Sequence, residues 1–146
     1  MVQCEFPECT TFGSVVRFAL ELEKGAAGMY EELAKAVPSA ALFKELAEAH
    51  KKRGASLENM RQQKLNEMIL EPIQDMKREN YIIDTKVPKV SDVKQAAQVV
   101  MKVEEISAKF YVDAAKSAKS IMAEATRFMD KMSKDNLAYK AKLGAL

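Results

Sequence analysis

Glu23, His50, Glu104 and Asp135 are ionisable residues at positions where the surrounding pattern asks for apolar ones. Each falls in a seven-residue series along a helical stretch. The series are Val16, Glu23, Tyr30, Val37; Phe43, His50, Leu57; Ala97, Glu104, Tyr111, Ala118; and Phe128, Asp135, Lys142. Seven residues is close to two helical turns, so each series traces one seam with a drift of about 20° per repeat. Carboxylates and an imidazole facing a core are costly unless paired with opposite charge or bound to a metal. Arg53 follows His50 by three residues and shares its face. The candidate chemistry is therefore an ion-paired cluster or a metal centre. Lys142, close to the chain end, reads as exposed.

The elements that position these residues are four helices. The first spans about 12–36, with Thr10, Thr11 or Ser14 as its cap and Val37-Pro38 as its stop. Its apolar positions, among them Val16, Ala19, Leu22, Ala26, Met29 and Leu33, keep the helical period. The second begins at Ser39 and runs to about Met68, with Phe43, Leu46, Ala47, Leu57, Met60, Leu65 and Met68 on one side. A connection over about 77–90 follows, containing Pro88 and the β-prone Tyr81-Ile82-Ile83. It is long for a bundle hairpin and predicts a crossover. The third helix spans about 91–116 and the fourth about 119–141. Residues 1–11, with Cys4 and Cys9, read as an N-terminal tail, 12–141 as one bundle, and 142–146 as a C-terminal tail.

The two halves repeat. ALELEKGAAGMYEELAKA (19–36) aligns with VMKVEEISAKFYVDAAKS (100–117), pairing Glu23 with Glu104 and Tyr30 with Tyr111 at an offset of 81. In the second helix of each half, Phe43 aligns with Phe128 at an offset of 85. Two α-hairpins, each with an apolar stripe it cannot bury alone, predict an all-α four-helix bundle.

In these residues the chain resembles the rubrerythrin branch of the ferritin-like superfamily. The repeated Glu-x6-Tyr, the Phe-led second helix of each half and the intervening crossover carry the likeness over nearly the whole chain. The resemblance implies a dinuclear iron site built from one Glu on each of two helices and a Glu-x-x-His on each of the other two. Glu23 and Glu104 match the single Glu ligands. The bridging positions hold His50 and Asp135, and the terminal His positions hold Arg53 and Ala138. The implied site is therefore degenerate. Arginine offers a metal no lone pair.

Two outcomes stay open. One keeps a single Fe, Mn or Zn on Glu23, His50, Glu104 and Asp135, with Tyr30 and Tyr111 behind the carboxylates. The chain would then retain a metal-dependent reaction with peroxide or O₂, or an iron-handling role. The other has no metal: Arg53 supplies the positive charge, the carboxylates surround it, and the protein is a non-enzymatic structural or interaction module. The family likeness also implies a homodimer. The rubredoxin-type four-cysteine module that would supply electrons is missing, since there are only two cysteines.

Composition narrows the rest. A formal net charge of +2 from 23 basic and 21 acidic residues gives no electrostatic reason to expect nucleic acid or an anionic membrane. No apolar run approaches the roughly 18 residues of a membrane span. The acidic N-terminus lacks the pattern of a signal peptide. The C-x4-C spacing of Cys4 and Cys9 is neither a zinc ribbon nor a redox motif. It reads as two thiols in a tail, with a local disulfide or shared metal as the alternative. A cytoplasmic protein is expected. Gly25 and Gly28 weaken the first helix by about 1 kcal/mol each and predict the close approach of another helix or a dimer mate, with tolerated surface glycines as the alternative. The methionines of the fourth helix (Met122, Met129, Met132) read as adaptable core.

Overall fold

The structure, a computed structural model, describes residues 4–64, 70–119 and 121–146. Four helices form the bundle: α1 Phe12–Ala36, α2 Ala41–Lys64, α3 Val93–Ala118 and α4 Ala123–Gly144. Links of four residues join α1 to α2 and α3 to α4. Links that short leave the paired helices antiparallel neighbours. The hairpins meet mainly through α1 against α3. Among the described residues no helix is long and apolar enough to cross a membrane.

α1 starts at a reciprocal cap. Thr11 Oγ1 accepts from the Ser14 amide at 3.1 Å, and Ser14 Oγ accepts from the Thr11 amide at 3.0 Å. Two amides that the helix cannot pair internally are thereby satisfied. A third, that of Phe12, donates to the Glu71 carbonyl at 2.9 Å. The Ile73 amide donates in turn to the Thr10 carbonyl at 2.9 Å, so the crossover docks on the start of α1. α1 ends at Ala36 with Val37 as its C-cap, as Pro38 dictates.

The other expected helices exist with shifted ends. α2 begins two residues after Ser39, and the expected apolar positions Leu65 and Met68 lie outside the described residues. α3 starts after Asp92, whose side chain makes no capping bond, and continues to Ala118. That extension delays the start of α4 to Ala123 and carries it through Leu143, which is buried.

The crossover makes a short 3-10 turn, Arg78–Asn80, and then an extended run. Tyr81 and Ile83 are buried and Ile82 between them is exposed, the alternation of a half-buried extended segment. The Tyr81 hydroxyl donates to Asp113 of α3 at 2.6 Å. Gly25 explains why the segment can lie so close to α1. A Cβ there would meet Cys4 Sγ and Thr85 Cγ2 at 3.0 Å and Ile83 Cδ1 at 3.3 Å. The close approach predicted at Gly25 is real, and the crossover and N-terminal segment make it, not another helix.

The core has two layers. One is aromatic: Phe18 stacks on Phe110 at 5.0 Å, Tyr81 meets Phe110 edge-on at 5.4 Å, and Phe6 covers Phe18 at 4.8 Å. Five residues along α1 from Phe18, about 7.5 Å at the helical rise, comes Glu23 and the polar layer.

Candidate functional site

Three of the four predicted inward residues meet in that polar layer. Glu23 of α1, His50 of α2 and Glu104 of α3 are all buried. The His50 ring lies between the carboxylates. Nδ1 is 2.6 Å from Glu23 Oε1, and Nε2 is 2.7 Å from Glu104 Oε1. Arg53, one turn further along α2, also points inward and is only 6% exposed. Its Nε lies 3.1 Å from Glu23 Oε1 as an ion pair. Its Nη2 donates to Asn136 Oδ1 at 2.8 Å. The guanidinium carbon sits 5.3 Å from the Tyr111 ring centre and 5.6 Å from that of Tyr139, between two π faces.

Asn136 closes the set from α4. Its Nδ2 faces both oxygens of Glu104 at 3.3 and 3.4 Å. The amide orientation follows from its neighbours: the carbonyl must face the guanidinium and the NH₂ the carboxylate. Tyr111 donates to Glu23 Oε2 at 2.5 Å, tying α3 to α1. Tyr30, the other tyrosine placed behind the carboxylates, bonds neither of them. Its ring stacks on His50 at 5.4 Å, and its buried hydroxyl has no partner among the described residues.

Asp135 is the residue that the structure places elsewhere. It lies half-buried on the flank of α4, with its carboxylate 3.0 Å from Lys131. The inward series of α4 is Met129, Asn136, Leu143, one residue later than the predicted Phe128, Asp135, Lys142. One residue turns a helix by about 100°, enough to move a side chain from core to flank. The internal repeat accordingly runs at an offset of 86 in the second helices: Met129 answers Phe43, Asn136 answers His50 and Leu143 answers Leu57. Aligning Phe with Phe misplaced it. The signal that could have found Asn136 was the apolar series Met129, Met132, Leu143 around it. The same offset matches Tyr139 to Arg53, so the terminal position of the fourth helix holds Tyr139 where Ala138 was expected.

The electrostatics follow from this packing. Burial alone would drive His50 neutral, but Glu104 and Glu23 outweigh it and hold the imidazole up to about 9. Burial likewise pushes the Glu23 carboxyl up, and Arg53, His50 and the Tyr111 hydroxyl more than reverse it, leaving it below its ordinary value. Burial, with the nearby carboxylates, raises the phenols of Tyr30 and Tyr111, so both stay protonated. At neutral pH the layer contains two cations, His50 and Arg53, against two carboxylates.

The arrangement does not fit the dinuclear centre that the resemblance implies. His50 faces a carboxylate from each ring nitrogen, and with its imidazole held up to about 9 it must give up a proton before it offers a metal a lone pair. Glu23 and Glu104 face opposite edges of its ring, so the three donors do not surround one point. A guanidinium stands at Glu23, and an amide occupies the α4 position. Among the described residues, no three His, Cys, Asp or Glu side chains are grouped to hold a metal. Cys4 and Cys9 are free thiols. Burial, with Glu8, pushes Cys9 up to about 11, and burial with Glu21 raises Cys4, so neither is a ready thiolate.

Two cavities flank α2 and reach the layer from opposite sides. One, about 470 Å³ between α1 and α2, is lined by Leu20, Ala27, Gly28 and Gly54 together with Glu23 and His50. The Lys51–Glu31 ion pair, 2.8 Å, joins the two helices at its border. The other, about 250 Å³, lies between α2 and α4 and has Arg53 among its lining residues.

Comparison of the chain with family models, curated proteins and solved structures gives no match. The class that its own geometry defines is a four-helix bundle with an ion-paired polar layer buried in its core.

Proposed function

We propose that this chain is a ferritin-like bundle of rubrerythrin type whose metal centre has been replaced by the ion cluster of Glu23, His50, Arg53 and Glu104. On this reading it is a metal-independent binding or interaction protein and not an oxidoreductase. The observation that carries the proposal is Arg53. Its guanidinium enters the layer beside Glu23, where a metal would otherwise supply the positive charge. The charge count supports it too, since two fixed cations balance two carboxylates and a divalent ion would leave an excess.

Elemental analysis of the purified protein tests this, followed by anaerobic Fe(II) titration. The expected result is substoichiometric Fe, Mn and Zn, no saturable uptake, and a thermal midpoint that Fe(II) does not move. One equivalent of bound metal, lost in His50→Ala and Glu104→Ala variants that still fold, would overturn it.

A second reading keeps one metal ion. The cavity between α1 and α2 favours it, because Glu23 and His50 are among the residues that line it. It requires His50 to release a proton, so metal uptake would rise steeply above neutral pH.

A further inference from the structure

Two glycines of α1 stand out in the sequence, and the fold accounts for one of them. Gly25 receives Cys4, Ile83 and Thr85. Gly28, almost one turn further on, is half-exposed and lines the cavity of about 470 Å³ between α1 and α2. Beside it stand Leu20 and Ala27 of α1 and Gly54 of α2. A groove walled by two glycines, an alanine and a leucine is apolar and lets another backbone come close. Two charged residues of α1, Lys24 and Glu31, lie in the same wall. Lys24 precedes Ala27 by three residues and Glu31 follows Gly28 by three. The charges are therefore opposite in sign and symmetric in position about the Ala27-Gly28 pair. Lys24 makes no ion pair among the described residues. Glu31 is held by Lys51 of α2 at 2.8 Å, with both side chains about half exposed, so its carboxylate can accept a second ammonium.

We infer that the groove between α1 and α2 is the interface for a second copy of this chain, whose α1 packs antiparallel across it. A two-fold axis between Ala27 and Gly28 sets Ala27 against Gly28 of the second copy, the smallest residues at the closest point. The same axis sets Lys24 against Glu31 of the second copy and Glu31 against its Lys24. The match exists only in the antiparallel sense, since parallel helices would set Lys24 against Lys24. A surface that complements itself under a two-fold closes a dimer and stops there. Exposed ion pairs add little affinity, so the apolar groove supplies the binding and the two charge pairs fix direction and register. Glu23 and His50 line the same cavity, so the second copy also covers that flank of the ion layer. This goes beyond the metal-free reading and has a separate readout, since oligomeric state and metal content are measured independently.

The test is sedimentation equilibrium of the full chain from about 1 μM to 1 mM at low ionic strength, with the fold of each variant checked by circular dichroism. The parent chain is expected to show a reversible monomer–dimer equilibrium and no larger species. Gly28→Leu places a side chain at the crossing point and should weaken the dimer at least about thirtyfold. Lys24→Glu, at an exposed position, turns two attractions into two repulsions and should weaken it about tenfold, an effect that salt reduces. The double variant Lys24→Glu, Glu31→Lys reverses the pattern but leaves it self-complementary, so its dimer should return to within about threefold of the parent. The charge variants decide the matter even if Gly28→Leu does not fold. A monomer throughout, a dimer left intact by a folded Gly28→Leu or by Lys24→Glu, or no recovery in the double variant would each overturn the assignment.

Discussion

The two hairpins present the same framework to the polar layer and fill it differently. In α1 and α2 the inward residues are Glu23, Tyr30, His50 and Arg53, and in α3 and α4 they are Glu104, Tyr111, Asn136 and Tyr139. Each hairpin brings one carboxylate, but both cations belong to the first. Glu23 is neutralised within its own hairpin. Glu104 depends on His50 from the other half and on the Asn136 amide. The difference teaches how a repeat becomes a single unit. The second half has lost the ability to compensate its own buried charge, and His50 spans the gap with one nitrogen for each side.

Removing that bridge should have the largest effect. His50→Leu leaves Glu104 without a cation, and breaking a buried pair of this kind costs about 3–5 kcal/mol. Urea denaturation should show that loss. The double variant His50→Leu, Glu104→Gln should recover more than half of it, because the uncompensated charge goes too. Recovery of nothing would mean that the two hairpins are not coupled through this pair.

Titration sharpens the same contrast. His50 is raised in the fold from an ordinary value of 6.5 to about 9. Its contribution is therefore complete below pH 6.5 and shrinks as pH rises towards 9, by about 3 kcal/mol in all. Glu23 is lowered, so its contribution is complete above the ordinary carboxyl value of 4.5 and is lost as acid drives the pH below that. Stability measured against pH should peak between these limits. His50→Leu should flatten the alkaline limb and also shrink the acid limb, since Glu23 then has only Arg53 and Tyr111 to hold its carboxyl down.

The tyrosines give a smaller, opposed pair. Tyr111→Phe removes a hydrogen bond to Glu23 and should cost about 1.5–3 kcal/mol. Tyr30→Phe removes a hydroxyl that has no partner among the described residues and should be neutral or slightly stabilising. Equal losses from the two variants would show that Tyr30 is engaged as Tyr111 is. Smallest of all is Asp135→Asn, which breaks an exposed pair with Lys131 and should change stability by less than about 0.5 kcal/mol.

The first three helices were largely legible in the sequence. The bounds of α1, the seams through Glu23, His50 and Glu104, and the crossover follow from apolar period, Pro38 and connection length. The fourth helix was legible as a helix but not in rotation. Phe128 is the larger and more hydrophobic landmark, yet Met129 beside it fills the core, and periodicity fixes a face only when the apolar residues are unambiguous. Arg53 illustrates a different limit. Its place on the helix face was clear, but arginine can lie along a surface or enter a core. The carboxylates it meets come from residues far away in the chain, so only tertiary packing decides between them. The register of α4 and the inward turn of Arg53 together determine the layer, which is why Asn136 was missed and the place of Arg53 stayed one of two outcomes.

The distribution of charge between the hairpins also has a consequence for vectorial synthesis. A chain made from its N-terminus completes α1 and α2 first, with Glu23 already matched by Arg53 and His50. That nascent half carries its compensation with it. Glu104 emerges later, from a half with no inward cation of its own, and docks against an imidazolium already in place. The reverse order would leave a bare carboxylate on an apolar stripe waiting for its counter-charge, the kind of half-made surface that invites misassembly.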